Sequence, residues 1–244
     1  MSRLQGKTAV VTGGGTGIGL GAAKRFIDEG AFVYIFGRRQ EALDAAVAKL
    51  GSSVRAVQGS VTDLSDLDRL YEAVRAERGA LDILFANAGT GAFAPLGEIT
   101  PEHYDQIFDV NVKGLVFTVQ KALPLMKQGS SIILTGSSTG VMGTPQFSIY
   151  SATKAAIRNL ARSWAQDLRG TGIRVNVLSP GPTKTELALE VVGEEAFDAL
   201  GSTTPLGRVG DPAETGAVAA FLASPDSSFM TGSEVFVDGG LAQI

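Results

Sequence analysis

Short runs of Val, Ile, Leu and Phe alternate along this chain with longer segments whose apolar residues return every three or four positions. A run that is apolar at nearly every position predicts a strand buried on both faces, and the helical period between runs predicts crossover helices. Strands are expected at Thr8–Thr12, Phe32–Phe36, Val54–Gln58, Ile83–Ala86, Ser131–Thr135, Arg174–Leu178 and Glu234–Val237. Helices are expected at Gly17–Asp28, Gln40–Leu50, Asp63–Arg78, Pro101–Met126, Ser148–Arg169 and Asp211–Ala223. Strand, helix, strand repeated this often predicts an α/β fold, a doubly wound parallel sheet of about seven strands flanked by helices. Ligands of such sheets bind beyond the carboxyl ends of the strands, so the loops there are the first place to look for chemistry.

Composition narrows the classes. With 244 residues and 44% hydrophobic content the chain can bury a substantial core. No linker or repeat interrupts it, and its 31 glycines fall at turns between apolar runs, so residues 1–244 read as a single domain. A net charge of −4 without any Lys/Arg run argues against nucleic acid or an anionic membrane surface as the partner. The absence of cysteine removes disulfides, thiol catalysis and thiolate metal sites. The single histidine, His103, follows Thr100-Pro101-Glu102 at a helix start and reads as a solvated surface residue, so no metal is expected. Met1 to Lys7 has no apolar h-region, and the uncharged stretch from Gln128 to Thr153 is broken by Gly, Ser, Thr and Pro; a soluble cytoplasmic protein is expected.

Candidate chemistry lies at strand ends. After the first strand comes Thr12-Gly13-Gly14-Gly15-Thr16-Gly17-Ile18-Gly19, a glycine-rich turn opening a helix. That arrangement lets a pyrophosphate approach the backbone and meet the N–H groups of the helix N-terminus, although a glycine-rich loop alone is also compatible with a tight structural turn. The second strand ends in Gly37-Arg38-Arg39 where an NAD site would place an acid. Guanidinium groups hydrogen-bond and stack on a 2′-phosphate, so NADP(H) is the expected cofactor with NAD(H) as a weaker alternative, unless the two arginines merely cap a surface turn. Farther on, Tyr150 and Lys154 lie four apart on an expected helix and so share a face. An ammonium beside a phenol favours its ionised form, which makes the pair a general acid/base device.

Six motifs in order resemble the short-chain dehydrogenase/reductase superfamily over essentially the whole length. They are T-G-x-x-x-G-x-G at Thr12–Gly19, Asn87-Ala88-Gly89, Asn111-Val112-Lys113-Gly114, Ser137, Tyr150 with Lys154, and Pro180-Gly181. The resemblance implies a Rossmann-type single domain and a metal-free transfer of hydride between nicotinamide and a carbonyl/alcohol pair. It implies Tyr150 as proton donor, Ser137 as the hydroxyl orienting the carbonyl, and Lys154 as the group that lowers the tyrosine pKa and binds the nicotinamide ribose. Asn111 would kink its helix and hold a water leading from Lys154 to solvent. Cofactor contacts would come from Gly13, Gly15, Thr16, Gly17, Ile18, Gly19, Arg38, Arg39, Ser60, Val61, Asn87, Gly89, Tyr150, Lys154, Pro180, Gly181, Thr183 and Thr185. The chain departs from the family pattern at Ala86, where an asparagine is usual, at Ser60, where an adenine-contacting aspartate is usual, and at Thr16, where many NADP-preferring members carry a basic residue.

Residues 182–208 correspond to the family's substrate lid and carry Leu187, Leu189, Val191, Val192, Phe197 and Leu200 at roughly helical spacing. With Phe93, Val141, Met142 and Phe147 they suggest an apolar or bulky small-molecule carbonyl substrate, or simply a stripe that packs on the body. Two further readings stand beside a ketone or aldehyde reductase: a 3-oxoacyl carrier-protein reductase, for which Lys127, Arg158 and Arg169 are too scattered to decide, and a cofactor-sensing binding protein without turnover. Apolar residues on more than one face of the helices carrying Asn111 and Tyr150 suggest a subunit interface, and the resemblance implies a homotetramer.

Overall fold

The computed structural model describes residues 2–243. Its strands are β1 (Thr8–Thr12), β2 (Phe32–Gly37), β3 (Val54–Gln58), β4 (Leu81–Ala86), β5 (Met126–Thr135), β6 (Arg174–Pro180) and β7 (Glu234–Val237), in the order β3-β2-β1-β4-β5-β6-β7. Every pairing is parallel, as crossover helices require. Helices α1 (Gly17–Asp28), α2 (Gln40–Leu50), α3 (Leu64–Arg78), α4 (Pro101–Phe108), α5 (Leu115–Ala122), α6 (Ser148–Asp167), α7 (Glu186–Val192), α8 (Glu194–Ser202) and α9 (Pro212–Ala223) cover its two faces. Side chains alternate across β1: Val10 joins Tyr34, Leu84 and Ile157 on one face, while Ala9 and Val11 join Ile35, Phe26 and Ala220 on the other. Strand order reverses between β1 and β4, which opens a crevice at their carboxyl ends.

Several boundaries differ from expectation for local reasons. The helix expected to run unbroken over Pro101–Met126 is α4, a π-helical turn at Asp109–Gly114, α5, and a 3₁₀ turn at Leu123–Leu125. Pro124 lies in that last turn, and β5 already begins at Met126. The residues expected to open two helices, Asp63 and Asp211, are instead caps: their carboxylates accept from the N–H groups of Ser65 at 2.8 Å and Ala213 at 2.7 Å. The stretch over residues 182–208 contains the two short helices α7 and α8, which no expected element covered.

Helix α1, which carries the glycine turn, is held by backbone-to-backbone contact with α9. A Cβ on Gly21 would come within 2.6 Å of the Pro212 carbonyl oxygen, and one on Gly216 within 2.7 Å of the Gly21 carbonyl oxygen. The close crossing fixes where the N-terminus of α1 points.

Candidate active site

One cleft of about 950 Å³ runs along the carboxyl ends of the strands and is lined by Gly13, Gly15, Thr16, Gly17, Ile18, Arg38, Arg39, Ser60, Val61, Asn87, Gly89, Ser137, Tyr150, Lys154, Pro180, Gly181, Thr183 and Thr185. Two of the expected catalytic and cofactor-binding residues do not line it. Gly19 is buried behind the loop, where a Cβ would collide with the Gly13 carbonyl oxygen, so its role is to let α1 pack against the turn. Asn111 is also buried, beneath the cleft floor.

At the glycine turn, Gly13 and Gly17 take φ values of 65° and 51°, a backbone region that L side chains adopt at a cost. Thr16, the N-cap of α1, makes no side-chain cap bond, so no side chain of this residue occupies the first N–H groups of the helix. These features fit a pyrophosphate. Beyond β2, Arg38 and Arg39 are exposed, and Arg39 reaches Glu186 at 3.0 Å and Thr16 Oγ1 at 3.5 Å, linking the glycine turn to α7. The Ser60 hydroxyl is paired with Thr62 at 2.7 Å. Thr185 caps α7 by accepting from the Ala188 N–H at 3.1 Å.

The Asn87 N–H donates to Thr12 Oγ1 at 3.0 Å, its amide nitrogen donates to the Thr12 carbonyl at 3.0 Å, and its amide oxygen accepts from Thr135 Oγ1 at 3.3 Å. It thereby laces the ends of β1, β4 and β5, although Ala86 stands where an asparagine is usual.

Tyr150 and Lys154 occupy the first two turns of α6 and Ser137 follows β5. The Lys154 ammonium is buried, donates to the Thr135 carbonyl at 2.9 Å and lies 5.4 Å from the centre of the Tyr150 ring. Burial pulls Lys154 down to about 8. Burial pushes the Tyr150 phenol above its ordinary value, and hydrogen bonding with Ser137 only partly opposes this.

Asn111 faces neighbours the sequence did not single out. Its amide oxygen accepts from the Thr90 N–H at 2.8 Å, and its amide nitrogen donates to the Thr90 carbonyl at 2.9 Å and to Thr153 Oγ1 at 3.1 Å. Thr153 in turn donates to the Tyr150 carbonyl at 2.6 Å. The π-helical turn thus braces α6 through the amide, and no direct bond joins Asn111 to Lys154 among the described residues. Between them lies Gly89, where a Cβ would sit 3.3 Å from the amide oxygen and 3.7 Å from the lysine nitrogen.

Other expectations are corrected in detail. His103 is half-buried, and its N–H is capped by Thr100 Oγ1 at 3.2 Å. Val141 does not line the cleft, whereas Phe93, Met142, Phe147 and Leu187 do. Leu241, near the end of the described residues, lines it too. Thr90, Thr135 and Thr153 were also missed, because lone threonines between motifs look like ordinary helix and strand residues. No cluster of His, Asp and Glu suited to a metal occurs among the described residues.

A family model described as Enoyl-(Acyl carrier protein) reductase (adh_short_C2) matches residues 13–242. The chain is 67% identical over 246 residues to "Oxidoreductase asL5" of Sarocladium schorii, covering 100% of this chain and 99% of that one. This chain belongs to the short-chain dehydrogenase/reductase superfamily. Among the other relatives of this short-chain dehydrogenase/reductase is the "NADP-dependent (R)-specific alcohol dehydrogenase" of Lentilactobacillus kefiri, 35% identical over 245 residues, with 98% and 97% of the two chains covered. Its fold superposes with a TM-score of 0.91 on the 3-ketoacyl-(acyl-carrier-protein) reductase of Brucella melitensis complexed with NADH, at 31% identity, covering 98% of this chain and 99% of that one. As a member of this superfamily the protein is an oxidoreductase acting on CH–OH groups.

Proposed function

We propose that this protein is an NADP-preferring carbonyl reductase that acts reversibly, with Tyr150 as its proton donor. The observation that carries the reading is that Ser137, Tyr150 and Lys154 line the same cleft as the glycine turn and the two arginines. When bound, the dinucleotide supplies or accepts the hydride, and the protein supplies position and proton. Gly13, Gly15, Thr16, Gly17 and Ile18 would hold the pyrophosphate at the N-terminus of α1, and Arg38 and Arg39 would hold the 2′-phosphate. Ser60, Val61, Asn87 and Gly89 would hold the adenosine, and Pro180, Gly181, Thr183 and Thr185 the nicotinamide half. The sequence of Lentilactobacillus kefiri, named for NADP, supports the preference.

In reduction, the Ser137 hydroxyl holds the carbonyl oxygen and Tyr150 delivers a proton to it. Lys154, cationic below about pH 8, stabilises the negative charge that grows on the phenol oxygen as the proton leaves. Asn111 is a positioning residue that fixes α6 through Thr153. The cleft's basic side chains, Arg38, Arg39 and Lys154, all serve the cofactor or the phenol, which favours a small carbonyl substrate over an acidic carrier protein. No helix among the described residues is long and apolar enough to cross a membrane. A cytoplasmic homotetramer is the assembly we propose, supported by half-buried apolar residues on α4 to α6 such as Phe108, Val112, Leu160 and Trp164.

The test is oxidation of NADPH and NADH with a panel of aryl, cyclic, β-keto ester and thioester carbonyls. Turnover is expected with NADPH above NADH. Tyr150→Phe is expected to lower kcat by at least ~10²-fold, the usual size of a general-acid contribution, while leaving NADPH binding intact. Substantial activity in that variant would overturn the assignment of Tyr150, and failure to bind either dinucleotide would overturn the reading of the cleft.

A further inference from the structure

A left-handed, non-glycine residue lies near the proposed proton donor. Gln146 has φ 59° and is the one non-glycine residue with positive φ among the described residues. A residue held in that region is strained, and such strain persists only where surrounding contacts impose it. Here the Gln146 carbonyl accepts from the Ala94 N–H at 2.8 Å, tying the segment after β5 to the segment after β4. The next residue, Phe147, is the N-cap of α6, and its ring lies 4.4 Å from the Tyr150 ring, stacked at 25°. Phe93 packs on Phe147 at 4.5 Å and 31°.

Space for this arrangement comes from a missing side chain. A Cβ on Gly91 would lie 3.0 Å from Phe147 Cζ and 3.0 Å from Tyr150 Cδ2, tight against both rings. The glycine, the strained glutamine and the bond between the two loops therefore converge on one result, an aromatic row ending at the Tyr150 phenol. Both phenylalanines line the cleft, and Phe93 remains 42% exposed, so the row offers ring surface to whatever enters. The same cleft is lined by Leu187, Val191 and Phe197, apolar side chains that suit an uncharged substrate.

We infer that Phe147, backed by Phe93, is a specificity-determining aromatic wall, and that the substrate reduced beside Tyr150 is a flat, uncharged aryl ketone. The inference rests on the reductase reading above and adds its substrate class. A conjugated ring can lie against or edge-on to the row, whereas a puckered saturated ring of the same size cannot approach as closely. In the reduction, hydride adds to the carbonyl carbon and the Tyr150 proton to its oxygen. The C=O π bond breaks, C–H and O–H bonds form, and the nicotinamide is oxidised.

The test compares acetophenone with cyclohexyl methyl ketone, which differ only in the ring. Because their intrinsic reactivities differ, the quantity read is the change in the aryl-to-cyclohexyl ratio of kcat/KM between wild type and each of Phe147→Leu and Phe93→Leu. The ratio is expected to fall roughly 3- to 10-fold in Phe147→Leu and less in Phe93→Leu, the size of aromatic pair interactions. The same preference is expected without turnover, as a ratio of dissociation constants for the two ketones in the Tyr150→Phe protein with oxidised cofactor bound. Ratios unchanged within twofold in both variants would overturn the inference, and Phe93→Leu, at a part-exposed site, keeps the test valid if Phe147→Leu folds poorly. Wild type that reduces other carbonyls but neither of these ketones would also overturn the aryl assignment. The reductase reading fails separately, by loss of dinucleotide binding or of all turnover.

Discussion

Lys154 is the residue whose environment most opposes its chemistry. Burial lowers its pKa from 10.5 to about 8, so below pH 8 the folded protein carries a desolvated ammonium that the unfolded chain would hydrate. A shift of that size corresponds to about 3 kcal/mol. Lys154→Met is accordingly expected to abolish turnover while raising stability at pH 7 by roughly 1–3 kcal/mol. Between pH 8 and 10.5 the unfolded wild type binds more protons than the folded one, so wild-type stability rises with pH there and the variant's advantage shrinks. Urea denaturation at pH 7 and pH 10 checks both statements, and an advantage that grows with pH would contradict them. Ketone reduction by wild type is expected to decline as pH passes about 8, where the cation is lost. At this scale the sequence was most informative, since Ser137, Tyr150 and Lys154 were all legible. The burial that raises the tyrosine's pKa was not, because it depends on how the folded chain packs around the phenol.

Asn111 belongs to the element scale, because what it holds is a junction between α4, α5 and α6. Three bonds to Thr90 and Thr153 satisfy its amide inside the protein. Asn111→Leu leaves the Thr90 N–H, its carbonyl and the Thr153 hydroxyl short of a partner, and a cost of about 2–4 kcal/mol is expected, read as a lowered denaturation midpoint. Activity is expected to fall further than stability explains, since α6 carries Tyr150. Periodicity could not reveal the π-helical turn, because one extra residue in a helical turn leaves the apolar pattern almost unchanged. The same weakness hid the end of the helix before Met126, where Pro124 was a signal that an unbroken apolar pattern overrode. Helices α7 and α8 were legible only as spacing, because short helices depend on the contacts they make rather than on propensity.

The crossing of α1 and α9 ties the molecule together. Gly21 and Gly216 face each other's helix backbones, so Gly216→Val would drive its side chain into the Gly21 carbonyl and separate the helices. Loss of roughly 2–4 kcal/mol or failure to fold is expected, with weakened dinucleotide binding in any folded fraction because the N-terminus of α1 would shift. Thermal denaturation and NADPH titration measure the two effects, and a variant with unchanged stability would show that the helices do not meet as described. The same scale corrects the reading of the helix faces. Leu115, Val119 and Ile157 are buried within the subunit, while Phe108, Val112, Leu160 and Trp164 remain half-buried and support the proposed assembly.

By itself the sequence determined the strands and most helices, the glycine turn and the Ser137, Tyr150 and Lys154 group, because each rests on local pattern: period, turn chemistry, or residues one helical turn apart. Tertiary structure alone decided that Asn111 braces rather than lines the cleft, that Asn87 laces three strands, that burial governs the pKa values of Tyr150 and Lys154, and that Phe93, Phe147 and Tyr150 form one aromatic row. These features join residues far apart in the chain. Their energetics come from desolvation and close packing, which exist only once the sheet has brought its loops to the same edge.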